Sequence, residues 1–349
     1  MSKYNYSIFM GRMQPPHKAH IHAIETCLSI SERVIILIGS ANQPRTVKNP
    51  WTWQEREQMI RAHFNERQNS RILCRGMEDY LYNDQRWVRA VQDVVDHIQT
   101  AVGDERSTVL VGRHKDASSY YLDLFPQWVL YETEEYRDEV TQEPINATDV
   151  RTEYFVNDWG GNFSSKELLS PTSEFLTQFA DTEDYQYVLG EKDFLDKHNK
   201  MWEGSPYTPT FNCADAIVIQ SGHVLLVKRR ASPGKNLYAI PGGYIDGNEG
   251  TLDAAIRELR EETKLKVPDP VLRGSIFGSR VFDHPQRSQR GRVFSHSYGF
   301  LLKGSKLPPV KGGSDAEKAK WFTLDQAMNM RDQFFEDHFD ILYHYLGLI

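Results

Sequence analysis

Cysteine is scarce in this 349-residue chain: its three residues, Cys27, Cys74 and Cys213, stand far apart. No CxxC or Cys/His spacing joins them, so neither a disulfide framework nor a zinc cluster is expected, and a reducing cytoplasm is. Basic charge is also in deficit. With 48 acidic against 41 basic side chains the formal net charge is −7, which argues against a broad electrostatic grip on nucleic acid or on an anionic membrane. No apolar run approaches the roughly 20 residues that cross a bilayer, and the first residues show no signal-peptide core. The protein therefore reads as soluble, without nucleic acid or membrane as partner, and any phosphate ligand must be held by local clusters. What is present is ordinary: 40% hydrophobic and 26% charged residues, with 23 Gly and 16 Pro. That composition excludes collagen-like, rod-like and wholly disordered chains. The length suits two domains of about 100–200 residues each.

The first half alternates. An apolar stretch at Ser7–Met10 is followed by the turn Gly11-Arg12-Met13-Gln14-Pro15-Pro16, and then by Ile21, Ile24, Cys27 and Leu28 at helical spacing. Further strands are expected at 33–38, near Ile72-Leu73 and at 108–111. Helices are expected from a Thr52 cap through Phe64 and over about 84–98. Strands alternating with helices imply a doubly wound, mostly parallel sheet whose ligands sit at the carboxyl ends of its strands. A helical extension runs from about 164 to 202, and the break Glu203-Gly-Ser-Pro sets the expected boundary, giving domains 1–203 and 204–349. Beyond it the pattern is α+β, with strands at 214–220, 223–228 and 294–302 and one strong helix at 252–264.

His17 and His20, three apart at a helix start, are placed to face one anion beside the free N–H groups and positive dipole end of that helix. The loop Gly11 to His20 resembles the GRFQPxHxGH signature of nucleotidyltransferases, with Ala19 at the usual glycine. Asn49-Pro-Trp-Thr-Trp-Gln-Glu-Arg56 is similar to the NPFTxxER stretch of nicotinamide mononucleotide (NMN) adenylyltransferases, and Ile145-Asn-Ala-Thr-Asp-Val-Arg151 to their ISxTxxR motif. The resemblance implies a Rossmann-like domain that transfers AMP from ATP to NMN, giving NAD and pyrophosphate. It further implies that His17, His20, Arg151 and Thr148 meet the ATP phosphates and that Arg12 bridges the reacting groups. Gln14 and Asn83 are expected substrate contacts, Trp87 a stacking surface for nicotinamide, Lys115 and Asp116 adenosine or phosphate contacts, and Arg45 and Lys48 phosphate ligands of NMN. For Trp87, packing in the core beside Val91 and Val94 is the competing reading, and for the charged loop residues it is simple solvation.

The second half carries Gly243-x5-Glu249-x7-Arg257-Glu258-Leu259-x-Glu261-Glu262-x-Lys264-Leu265, which resembles the Nudix box Gx5Ex7REUxEExGU, with Lys264 at its late glycine. Glu258, Glu261 and Glu262 share a helical face, a carboxylate cluster suited to hard, oxygen-seeking cations. The resemblance implies a Mg²⁺-dependent hydrolase (Mn²⁺ serving as well) with Gly242, Glu258, Glu261 and Glu262 as metal ligands. It implies a general base from outside the box, Glu317 with Asp315 as competitor, and catalytic Glu258 and Glu262. Arg257 should orient the cluster, and Lys264 should sit in a left-handed cap. Arg287 and Arg292, in an Arg-rich loop, are expected at the diphosphate.

Together the two halves resemble the bifunctional NMN adenylyltransferase/Nudix ADP-ribose pyrophosphatase family, with magnesium at both sites and ATP, NMN, NAD and ADP-ribose as small-molecule partners. Self-association is left open. Two other readings stay open at this point: a second domain that senses ADP-ribose without cleaving it, and a first domain that serves another phosphate acceptor.

Overall fold

The computed structural model describes residues 3–100, 107–137, 142–156 and 162–349. The chain divides into two compact units, Met1–Leu189 and Gly190–Ile349.

In the first unit β1 (Tyr4–Gly11), α1 (Lys18–Ile30), β2 (Ser31–Ile38), α2 (Trp53–Arg61), α3 (Glu66–Asn69), β3 (Ile72–Gly76), α4 (Asp84–Thr100), β4 (Thr108–Gly112) and β5 (Val129–Glu132) follow in order. The strands form a sheet β3-β2-β1-β4-β5, parallel throughout. Both of its faces are covered, which explains the unbroken apolar runs. Along β2 Val34, Ile36 and Ile38 enter one core cluster while Ile35 and Leu37 enter the other, as the two-residue strand period requires. Strand order reverses at β1, between β2 and β4, and the crevice at the carboxyl ends there is where this topology binds ligands. The helix expected through Phe64 stops at Arg61, because Asn65 caps a new turn, accepting from Gln68 N at 3.0 Å. Its start is as expected: the Thr52 hydroxyl accepts from Glu55 N at 3.2 Å while Glu55 accepts from Thr52 N at 2.7 Å.

The unit is completed by α5 (Ala147–Tyr154), α6 (Ser170–Phe179) and the start of α7 (Glu183–Lys200). Val150, Tyr154, Leu176, Tyr185 and Val188 pack with Trp51 and Met59 in a third cluster. The units part inside α7, earlier than the expected boundary at 203. The physical reason is that Tyr185 and Val188 belong to this core, whereas Glu191 accepts from Gly234 N at 2.7 Å in the second unit.

The second unit comprises β6 (Thr210–Gln220), β7 (His223–Arg229), β8 (Tyr238–Ala239), β9 (Gly242–Tyr244), α8 (Thr251–Thr263), α9 (Asp269–Gly274), β10 (Ile276–Phe282), β11 (Arg292–Leu302), β12 (Ala316–Thr323), α10 (Leu324–Met328) and α11 (His338–Leu346). Its mixed sheet runs β10-β11-β6-β7-β12, with β9 on β6 and β8 on β7. Helix α8 lays Ala254, Ala255, Ile256 and Leu259 on Ala214, Ala216 and Val218 of β6, so its acidic face is turned from the core. Among the described residues, no helix is long and apolar enough to cross a membrane.

Candidate functional site

The first site is built at the carboxyl end of β1. His17 is the N-cap of α1 and His20 its third residue, and their rings lie 3.7 Å apart, with His17 N donating to His20 Nδ1 at 3.3 Å. Burial, with Lys115 adding like charge, pushes His20 down to about 3, and burial, His20 and Lys115 hold His17 well below its ordinary value. Both rings are thus neutral near pH 7. His17 Nδ1 is buried and unpartnered, an open polar position where a ligand is expected. Arg151, at the first turns of α5, donates to Gln14 O at 2.5 Å and to the Thr148 hydroxyl at 3.0 Å, which brings the first and third sequence motifs together.

Cations surround this point. Burial, Arg12 and Arg151 bring Lys48 down to about 8, with Asp79 opposing them, and burial followed by Arg12 lowers Arg151 to about 10. A cluster of like charges that depress one another is stabilised by a polyanion. Lys115 belongs here through its effect on both histidines; Asp116 lies beside it in the exposed turn whose carbonyl accepts from Ser119 N.

Several of the expected contact residues have partners within the protein. Arg45 is committed elsewhere, to both Glu55 oxygens at 2.7 and 2.8 Å, Asp184 at 2.8 Å and the Pro50 carbonyl at 2.7 Å, so it is a strut. The Gln14 amide is buried against the Trp51 backbone, donating at 2.9 Å and accepting at 3.2 Å. Asn83 caps α4 by accepting from Arg86 N at 2.9 Å. Trp87 packs edge-on against Tyr121 and Phe125, 6.1 and 5.7 Å between centroids, within the core cluster that contains Val91. Two residues were missed. Buried Arg56 gathers the carbonyls of Arg12, Gly39 and Ser40, tying the loops after β1 and β2, and Asp79 accepts from the Ser40 hydroxyl at 2.6 Å. Arg56 stood in a quoted motif; Asp79 carried no local signal.

The second site lies on α8. Arg257 donates to Glu249 at 2.6 Å, to Glu258 at 2.8 Å, to Glu261 at 3.4 Å and to the Tyr244 carbonyl at 3.1 Å, so one guanidinium sets three carboxylates and a strand. Glu262 is buried and accepts from Gly242 N at 3.1 Å. Burial, reinforced by Glu258, pushes it up to about 8, and burial raises Glu258 too. Glycine is needed next door: a Cβ on Gly243 would stand 2.4 Å from Glu258 Oε1, and one on Gly242 2.1 Å from Asp215 Oδ1. Among the described residues no three acidic, histidine or cysteine side chains converge at ligand spacing. The buried Glu262 and half-buried Glu258, both with raised proton affinity, nonetheless suit a hard divalent cation, which would let both ionise. Lys264 ends α8 at φ 53°, left-handed as expected.

The loop bearing the expected base docks on the end of α8, with Gly313 N donating to Glu262 O at 3.0 Å and Lys311 N to Thr263 O at 2.9 Å. Glu317 follows on β12, partly exposed and 3.9 Å from Lys318 Nζ. The arginines of the loop before β11 are engaged within the protein. Arg287 forms a two-pronged pair with Asp337 at 2.8 and 2.9 Å, their side chains 3% and 0% exposed. Arg292 donates to the Asp283 carbonyl and lies over Phe294.

Comparison with known proteins matches residues 8–153 to a cytidylyltransferase-like family model and residues 210–345 to the NUDIX domain. The bifunctional NMN adenylyltransferase/ADP ribose pyrophosphatase from Francisella tularensis is 34% identical, superposes with a TM-score of 0.88, and is matched over 99% of both chains. The chain belongs to this bifunctional family. A second structure of the Francisella protein, complexed with AMP and a manganese ion, gives the same TM-score at 33% identity over 99% of both chains. The nicotinamide/nicotinic acid mononucleotide adenylyltransferase of Acinetobacter baylyi is 39% identical over 200 residues, 57% of this chain and 99% of that one. The ADP-ribose pyrophosphatase of Methanocaldococcus jannaschii is 35% identical over 111 residues, 32% of this chain and 60% of the relative. Family membership thus covers both sites, and the manganese-bound relative favours divalent-metal use.

Proposed function

We propose that the first unit condenses NMN with ATP to give NAD and pyrophosphate, and that the second cleaves ADP-ribose to AMP and ribose 5-phosphate. The observation that carries the first activity is the neutral pair His17/His20 at the start of α1, within a ring of Arg12, Lys48, Lys115 and Arg151. In the transfer an NMN phosphate oxygen attacks the α-phosphorus of ATP and the bond to pyrophosphate breaks. No protein nucleophile is needed, so the residues position the reactants and stabilise charge spreading over the phosphoryl oxygens. His17 and His20 hydrogen-bond the ATP phosphates, Arg151 with Thr148 holds the departing pyrophosphate, and Arg12 spans the reacting groups. Magnesium enters here with the triphosphate, as part of the substrate.

The second activity rests on half-buried Glu258 and buried Glu262 behind the Gly242-Gly243 turn. Glu258, Glu261, Glu262 and Gly242 would hold Mg²⁺ or Mn²⁺, which when bound polarises phosphate oxygens and activates water. Arg257 keeps the carboxylates in register, and Glu317 takes the proton of the attacking water. A reducing cytoplasm, consistent with three buried free cysteines, is the compartment that fits. Incubation with Mg²⁺ and either NMN plus ATP or ADP-ribose, with products resolved by chromatography, tests both halves. NAD in the first mixture and AMP with ribose 5-phosphate in the second are expected. Absence of NAD would overturn the first assignment, and intact ADP-ribose would leave a binding domain in place of the hydrolase.

A further inference from the structure

Lys264 stands where the Nudix box has its late glycine, and it holds a left-handed conformation, φ 53°, that disfavours every residue with a Cβ. Strain of this kind collects where a side chain has a task. The side chain runs to Gly313, in the loop before β12. The point where a Cβ of Gly313 would stand lies 2.8 Å from Lys264 Nζ, closer still to Lys264 Cε, and 2.5 Å from the Glu261 carbonyl oxygen. The end of the lysine side chain therefore covers the bare face of Gly313, and the nearest approach is made by a methylene, an aliphatic stem laid on its neighbour as long charged side chains do.

From Gly313 the contact reaches Glu317 through one further residue. A Cβ on Gly312 would stand 2.7 Å from the Glu317 carbonyl oxygen and 2.8 Å from its carbonyl carbon, so these two stretches of backbone touch. The sheet itself leaves Glu317 out of register. Ala316 faces Arg229 and Lys318 faces Lys228, which makes Glu317 the extra residue of a bulge between β12 and β7, a device that re-aims a side chain. Ser314, in the same loop, is also left-handed at φ 49°. Backbone bonds tie this loop to α8 through the Glu262 and Thr263 carbonyls, and Arg230 N donates to Asp315 O at 3.1 Å. Lys264 adds a side-chain contact from α8 to these ties.

We propose that Lys264 is a positioning residue of the hydrolase: its aliphatic stem clamps Gly313 against the end of α8 and thereby sets the bulged Glu317 at the attacking water. The proposal rests on reading the second site as a hydrolase with Glu317 as its base. It gives a purpose to this chain's departure from the box, because a glycine at 264 has no side chain with which to seat the loop. A base works only within hydrogen-bond reach of the proton it takes, and a catalytic group held loosely loses turnover before it loses binding. Lys264 acts through Glu317, so its removal belongs in kcat.

The test uses the full chain at saturating Mg²⁺ with Lys264→Ala and Lys264→Met, both of which keep a Cβ and hence the same strained backbone. Lys264→Ala should lower kcat for ADP-ribose about tenfold with KM within about twofold, whereas Lys264→Met, which restores the stem without the charge, should stay within about twofold in both. A kcat for Lys264→Ala within twofold of wild type overturns the proposal. So does a methionine variant as slow as the alanine one, which would assign the role to the ammonium. Hydrogen exchange read by mass spectrometry gives a measure independent of turnover. Amides of residues 311–317 should exchange about tenfold faster in Lys264→Ala and as in wild type in Lys264→Met, with β6 unchanged in both. Equal exchange in the loop, or β6 loosened as much as the loop, overturns the proposal. If the wild-type chain leaves ADP-ribose intact, it is the hydrolase reading that fails, and the exchange rates alone then decide whether Lys264 seats the loop.

Discussion

His20 illustrates how burial decides the state of a side chain. It takes up a proton only near pH 3 in the folded chain, against 6.5 when free. The unfolded chain therefore binds a proton between these values that the folded chain refuses, so the stability linked to His20 is complete above about 6.5 and is lost as pH falls through that window. Thermal melts from pH 7 to 4 should show a falling midpoint, and His20→Gln should flatten part of the slope; identical slopes would contradict a buried neutral ring. Arg287 carries an opposite lesson. Its fork is buried on Asp337, and Arg287→Ala, which strands that carboxylate, should cost about 3–5 kcal/mol in denaturant unfolding. Gly243→Ala tests close approach: a methyl group aimed at Glu258 should lower ADP-ribose turnover about a hundredfold, as misplacement by an ångström does elsewhere, with NAD formation kept as the measure of folding. None of the three contacts reads directly from neighbours in sequence. Arg45 and Arg287 look like free phosphate ligands because the acids that claim them, Asp184 and Asp337, stand far along the chain.

Helices and strands were more legible than such pairings. The apolar run of β2 and the Thr52 cap of α2 are local, and local chemistry predicts them. The spacing of Glu249, Arg257, Glu258, Glu261 and Glu262 foretells the acidic face of α8, because a helix repeats every 3.6 residues wherever it is placed. What spacing could not give is Arg257 reaching Glu249, Glu258 and Glu261 at once, or a short α2, since those depend on loops before and after. The end of α8 makes a sharp case. Lys264 occupies the left-handed conformation at φ 53°, which penalises any residue with a Cβ by about 1 kcal/mol. Lys264→Gly should therefore raise the unfolding free energy of the second unit by roughly that amount, read from the midpoint in urea; a loss of stability would mean that the lysine side chain outweighs the backbone.

Across the two units the expectation is chemical independence. Glu262→Gln removes the most deeply set carboxyl group of the acidic cluster and should reduce ADP-ribose cleavage at least about a hundredfold while NAD synthesis stays within twofold. His20→Ala should do the reverse. Loss of both activities in either variant would show that the two reactions are coupled. The division into two units was legible from length and motifs; its position was not, because α7 is helical from end to end and only packing tells that Val188 and Glu191 serve different cores. That continuous helix has an evolutionary corollary. A Nudix cassette copied from the obvious break at Gly204 onward would carry the acidic cluster and its glycines but leave behind Glu191, the carboxylate that accepts from Gly234 N. Recombination at the visible seam would therefore strand a buried contact of the second unit, and a complete copy requires the junction to lie inside a helix.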